Sequence, residues 1–263
     1  MAIEFRYAEN QYVRLPALAA DLVRRPVDVV VAHGIPVALA ARAASTKTPV
    51  VFLVAVDPVK FGFVASFSRP DGNLIGMTML GNDLGPKRLE LLHELVPSAT
   101  TIAALINPTS PIAQTQSRDL QAAARTLGVQ LHVLHASNEH DFDTVFARLA
   151  QLRAEALVID SDVFFSSQIE QLATLAFRNA MPAIYQFRSF AAAGGLTSYG
   201  VRITSAYLFV GVYTGQILKG ETPADLPVQQ STEVELTINL RTDKALGLTV
   251  PLPLLARADE MIE

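Results

Sequence analysis

Cysteine is absent from the 263 residues. That excludes disulfides, thiolate metal sites and a cysteine nucleophile, and leaves the compartment open. Charge is sparse: 17% of residues are charged, the formal net charge is −4 and the sequence pI is about 5.8. This balance argues against nucleic acid as a partner. No apolar run reaches the roughly 18–20 residues that a membrane-spanning helix needs. The opening MAIEFR lacks the basic segment and apolar stretch of an export signal. The expected location is therefore cytoplasmic if this start is genuine, and periplasmic if a signal lies upstream.

Known catalytic and cofactor signatures are missing too. There is no G-x-G-x-x-G after the first strand, no Walker loop and no G-x-S-x-G elbow. The five histidines (His33, His93, His132, His135 and His140) show no metal-ligand spacing. No cofactor and no metal are expected.

What the chain does contain is one recurring unit: a short apolar strand, a polar or Gly/Pro loop, then a helix. VDVVVA (27–32) runs into His33-Gly34-Ile35-Pro36, VVFLVAV (50–56) into Asp57-Pro58, TIAALI (101–106) into Asn107-Pro108-Thr109-Ser110-Pro111, and ALVI (156–159) into Asp160-Ser161-Asp162. Continuous short apolar strands are buried on both faces, so the fold class is α/β with parallel sheets covered by helices. Half the residues are hydrophobic, and the length suits two packed lobes.

Further strands are expected at 3–7, 74–79, 130–135, 182–186, 195–199 and 228–239. Helices are expected at 15–24, from Pro36 through 37–45, and at 61–67, 86–96, 112–127, 139–153, 167–179, 206–218 and 244–246. Gly81–Gly85 reads as a crossover. The first lobe is expected to span 1–82 with a crossover at 201–226, and the second 83–200 with a C-terminal return at 227–263.

In open α/β sheets ligands bind at the carboxyl ends of strands, so the loops named above are the candidate site. His33 is either a ligand contact or a solvated loop residue. Within Asp160-Ser161-Asp162 a carboxylate suits a ligand ammonium, while one residue of the three is expected to cap the following helix. Asp57 has the same two readings. Asn107 with Ser110 suits a ligand carboxylate at a helix N-terminus, or forms an Asx or Ser turn. Of Phe164, Phe165, Tyr185, Phe187 and Tyr199, about two are expected to line a cleft and the rest to be core.

Several segments together resemble one family. They are Tyr7-Ala8-Glu9, Arg14–Val23 (RLPALAADLV), Asp57-Pro58-Val59, Gly85–Leu92 (GPKRLELL), Ile106-Asn107-Pro108, Ser198-Tyr199-Gly200 and Leu240–Ala258 (LRTDKALGLTVPLPLLARA). This set, spread almost end to end, is similar to the ABC-transporter substrate-binding proteins of the tryptophan/tyrosine-binding type. The resemblance implies two Rossmann-like lobes in the type I periplasmic-binding architecture, closing on a small ligand by a hinge and passing it to an ABC permease without chemistry. It places ligand contacts at Gly34, Ile35, Pro36, Asp57, Asn107, Ser110, Ser161 and Asp162 and in the loop after Tyr185, with Asp162 taking an α-amino group. Phe187 stands where such relatives carry a polar or acidic residue, which makes room for an aromatic or less polar acid. The family normally has an export signal and a strand–helix unit ahead of the segment matching residues 3–7. Without that unit, strand edges in the first lobe would be exposed: either the gene product starts upstream, or another chain repairs the lobe (as in a homodimer through those edges), or the lobe binds poorly. A cytoplasmic small-molecule sensor of the same fold is the second reading, and an enzyme with Asp57 and Asp162 as an acid/base pair the third.

Overall fold

The computed structural model describes residues 2–79 and 84–263. In chain order the strands are β1 (Val30–His33), β2 (Val50–Val54), β3 (Leu74–Thr78), β4 (Thr101–Ile106), β5 (Gln130–His135), β6 (Ala156–Ile159), β7 (Ala183–Tyr185), β8 (Thr197–Val201), β9 (Gln229–Gln230), β10 (Val234–Asn239) and β11 (Glu260–Ile262). The helices are α1 (Leu15–Arg24), α2 (Ile35–Ala44), α3 (Gly85–Leu95), α4 (Ala113–Leu127), α5 (Asp141–Leu152), α6 (Val163–Ser166), α7 (Ile169–Arg178), α8 (Arg188–Ala192), α9 (Ile203–Leu218), α10 (Leu240–Ala245) and α11 (Leu252–Leu255). Two compact units result: Met1–Leu80 with Ile203–Thr232, and Gly81–Arg202 with Glu233–Glu263.

The first unit holds a parallel sheet in the order β1-β2-β3-β9. Every residue of β2 and β3 is buried, as expected for apolar runs covered on both faces. Gly76 on β3 marks a close approach of backbones, since a methyl built there would stand 2.0 Å from the Phe52 carbonyl oxygen. Strand β1 lies at the outer edge of this sheet, and among the described residues no further strand joins it.

The second unit is a sheet in the order β11-β10-β8-β7-β6-β4-β5, parallel except where β10 runs against β8. Alternating side chains feed two cores. Ile102, Ala104, Ile106, Ala156, Val158 and Ile184 face α3, α4 and α11. Ala103, Leu105, Leu157, Ile159, Ala183 and Tyr185 face α5, α6, α7 and α8. After β4 the chain adds β5 on one side and β6 on the other, so the order of strands reverses between β4 and β6. In a doubly wound sheet such a switch point opens a crevice at the carboxyl ends of the strands.

Several expectations are corrected. Residues 3–7 form no strand. Arg6 pairs with Asp21 (2.7 Å) and Glu4 with Arg25 (2.9 Å), which ties the segment to the end of α1 and turns Ile3, Phe5 and Tyr7 outward. Residues 61–67 form turns and not a helix, because Gly62 sits at φ +67° and the Pro58 carbonyl accepts from both Phe63 N and Val64 N. The span 228–239 is two strands: β9 pairs with β3 in the first unit, and β10 pairs with β8 in the second. Residues 81–83 of the expected crossover lie outside the described residues.

Helix α9 carries Gly211 and Gly215 in its interior, with nothing within 4 Å of a methyl at either place. Substituting alanine at each is expected to stabilise the protein by about 0.5–1 kcal/mol. Chemical denaturation of Gly211→Ala and Gly215→Ala checks this, and a loss of stability in either would contradict it.

Candidate functional site

In the second unit the loops after β4 and β6 meet across the switch point. Asn107 is 2% exposed, and its Nδ2 donates to Asp162 Oδ1 at 3.0 Å. Its Oδ1 accepts from Thr109 N (3.0 Å) and Thr109 Oγ1 (2.8 Å), which closes the Asx turn. Ser110 N donates to the Asn107 carbonyl at 3.1 Å, and Ala113 N, at the start of α4, donates to the Ser110 carbonyl at 3.1 Å. Asp162 is the N-cap of α6, its Oδ1 accepting from Phe164 N at 2.9 Å. The capping and ligand-holding readings of Asp162 are therefore compatible: one carboxylate atom caps and ties to Asn107, at a half-buried residue on the rim of the loops.

Asp160 turns the other way. It is 1% exposed and pairs with Arg88 of α3, Nη2 to Oδ1, at 2.8 Å. The same Oδ1 accepts from Ser161 N at 2.7 Å. Gln116 of α4 donates to the Ser161 carbonyl at 2.8 Å. Gln186, just after β7, donates from Nε2 to Ser166 Oγ at 2.5 Å and to the Asp162 carbonyl at 3.3 Å. The Gln186 Oε1 is buried, with no hydrogen-bond partner among the described residues.

The aromatic residues separate by burial. Phe164, Phe165 and Tyr185 are at most 1% exposed and belong to one core. Tyr185, expected at the site, instead points its ring into that core and stacks on Phe190 at 4.7 Å. Burial pushes its phenol pKa up, and the hydroxyl has no hydrogen-bond partner. Phe187, two residues on, and Tyr199 on β8 are half-buried and reach the surface of their cores.

In the first unit His33 ends β1, and Gly34 follows at φ +94°, its N–H donating to the Leu53 carbonyl at 2.8 Å. Helix α2 begins at Ile35 with Pro36 in its first turn, and its N-cap Gly34 has no side chain with which to cap it. Asp57 is engaged in its own turn: Oδ1 accepts from Val59 N (2.9 Å) and Lys60 N (3.2 Å). His33 Nδ1 lies 3.1 Å from the hydroxyl of Tyr207 on α9, the rings edge-to-face at 5.4 Å. Tyr207 is 50% exposed. Burial lowers the His33 pKa and raises that of Tyr207.

The His33 shift has a sign that can be measured. As pH falls through the ordinary imidazole value of 6.5, the unfolded chain takes up a proton that the folded site resists. Stability is thus full above that value and declines below it. His33→Gln is expected to flatten the difference in urea midpoint between about pH 7.5 and 5.5. An unchanged difference would show that other groups carry it.

Arg88, Gln116, Gln186 and Tyr207 were not singled out from the sequence. Each meets its partner across a long stretch of chain, and no local spacing announces the contact. Beside the Asn107 loop, Pro108 lines an open groove with Gln114, Ser117, Arg118, Gln121 and His135, all solvent-accessible. Among the described residues no cluster of potential metal ligands occurs, and no helix is long and apolar enough to cross a membrane.

Comparison with known proteins converges with this architecture. The chain is 26% identical over 247 residues to a tyrosine-binding protein of Clostridioides difficile (strain R20291), covering 94% of this chain and 70% of the relative. A crystal structure of a conserved domain protein from Vibrio cholerae superposes with a TM-score of 0.88 at 25% identity, over 99% of this chain and 87% of that one. The ABC domain of Streptococcus pneumonia in complex with L-Trp superposes with a TM-score of 0.86 at 23% identity, over 100% of this chain and 90% of that one. The fold is the type I periplasmic-binding fold, shared with an ABC transporter periplasmic solute-binding protein from Actinobacillus succinogenes. The family model described as ABC transporter substrate binding protein matches residues 1–262, and the chain belongs to that family.

Proposed function

We propose that this protein captures an aromatic α-amino acid, of the tryptophan or tyrosine kind, and presents it to an ABC permease on the periplasmic or extracellular side of a membrane. The observation that carries this reading is the Asn107–Asp162 pair at the switch point of the second unit, an amide donor and a carboxylate displayed together. Asp162 suits the ligand ammonium. Phe187 and Tyr199, half-buried, supply apolar surface for a ring. The relative named for tyrosine supports the ligand class. The chain crosses between its units three times, at the unit boundaries, and these crossings would serve as the hinge for closure on the ligand. Binding without chemistry is the whole of the role.

Isothermal titration with L-tryptophan, L-tyrosine and indole-3-propionate tests it. The first two should bind, and the third, which lacks the ammonium, should bind weakly. Asp162→Asn keeps an oxygen for the α6 cap but removes the charge. A charge-assisted hydrogen bond is worth about 1.5–3 kcal/mol, so the amino acids should lose roughly 10- to 100-fold in affinity. Indole-3-propionate should be unaffected. Failure of both amino acids to bind wild type, or equal affinity in Asp162→Asn, would overturn the reading.

A further inference from the structure

Arg88 is a fully buried arginine with no counterpart in the binding chemistry just described. It lies on α3, the first helix of the second unit, with its side chain 0% exposed. Two of the contacts its guanidinium makes are to described residues of the second unit. Nη2 donates to Asp160 Oδ1 at 2.8 Å, and Nη1 to the Tyr199 carbonyl at 3.3 Å. Asp160 Oδ1 in turn accepts from Ser161 N, the first amide of the loop that displays Asp162. One planar cation therefore links the residue just after β6 to the middle of β8, strands separated in the sheet by β7. The forked geometry of arginine suits such a span, and a lysine ammonium does not reproduce it. Asp160 and Arg88 are both withdrawn from solvent, so neither meets a ligand directly.

We propose that Arg88 is a positioning residue: through Asp160 it fixes the Ser161–Asp162 loop, and through the Tyr199 carbonyl it fixes the middle of β8, so that the two are held at one spacing for ligand. This rests on the ligand reading above for its consequence, but the positioning itself is a property of the unliganded protein. The chain leaves the second unit right after β8 and enters it right before α3. Arg88 thus ties the ligand loop to two of the three segments that lead to the first unit, and a change in loop position passes to them through its side chain.

The test separates positioning from mere stabilisation. In Arg88→Met/Asp160→Asn the buried charge pair is gone from both sides, while the asparagine retains an oxygen for Ser161 N. Replacing a buried ion pair on both sides generally preserves folding. The thermal midpoint should therefore stay near that of wild type. Amide exchange in the unliganded protein should nonetheless quicken by about tenfold at Ser161–Asp162 and at Tyr199–Gly200, while β4 is unchanged. Affinity for L-tryptophan should fall by about tenfold. Arg88→Lys, which keeps a cation but not the fork, should show the same pattern more weakly, and it decides the matter if the double variant does not fold. Unchanged exchange at both segments overturns the proposal, as does unchanged affinity in a protein whose wild type binds. If wild type binds none of the amino acids, the ligand reading fails and the exchange pattern alone decides whether Arg88 positions the loop.

Discussion

Gly76→Ala is expected to be among the most damaging single methyl additions in the first unit. The new Cβ would stand 2.0 Å from the Phe52 carbonyl oxygen and 2.7 Å from its amide nitrogen. These are backbone atoms of β2, locked in register with β3 on one side and with β1 on the other. A flexible side chain would rotate away, but a paired central strand has to translate. Overpacking a core ordinarily costs about 1–3 kcal/mol, and a clash with backbone belongs at or above the upper end. Against a total of about 5–15 kcal/mol for a domain, a loss of about 3 kcal/mol leaves the unit marginal. The unfolding midpoint should fall by about 10 °C or more. Circular dichroism melts of Gly76→Ala beside Gly211→Ala make the comparison: one methyl in a sheet interior, one on an open helix face. A Gly76→Ala protein that melts with wild type would mean that β2 and β3 separate at little cost.

Arg88→Met alone should destabilise the second unit on a similar scale. It leaves Asp160, 1% exposed, buried without its cation and with a second carboxylate oxygen that has no partner. Breaking a buried pair from one side costs about 3–5 kcal/mol, because the remaining charge keeps its desolvation penalty and loses its compensation. The single variant should thus be less stable than the double variant with Asp160→Asn, the reverse of what counting lost contacts predicts. Guanidinium denaturation of wild type, single and double variants gives the ordering. A single variant as stable as the double would show that water reaches Asp160 and solvates it.

Much of the fold was legible in the chain. The runs VVFLV, TIAALI and ALVI became fully or almost fully buried parallel strands, because a strand covered on both faces has no room for polar alternation. Their ends gave the loops that carry Asn107 and Asp162. Legibility failed where the partner mattered more than the period. Residues 3–7 alternate apolar and polar as a strand does, yet Glu4 and Arg6 found partners on α1, so the apolar set faces out. Tyr185 and Phe187 are two apart and share an aromatic character, but one lies within β7 and packs in the core while the other begins the turn into α8. Arg88 looks like any surface arginine of an amphipathic helix, and its contacts with the distant Asp160 and the Tyr199 carbonyl are what the sequence does not announce.

The antiparallel partnership of β8 and β10 has an architectural consequence. Val201 lies opposite Val234, and Arg202 N donates to the Glu233 carbonyl at 3.2 Å, so the points where the chain departs from the second unit and returns to it are neighbours. In effect β8 and β10 are the arms of a β-hairpin whose turn has been replaced by α9 and β9. Those elements are an insertion, and excising them requires only that the hairpin be closed again. An Asn-Gly turn joining Arg202 to Glu233 would restore the kind of connection that antiparallel strands ordinarily use. The second unit is thereby separable as a continuous domain that carries the Asn107 and Asp162 loops.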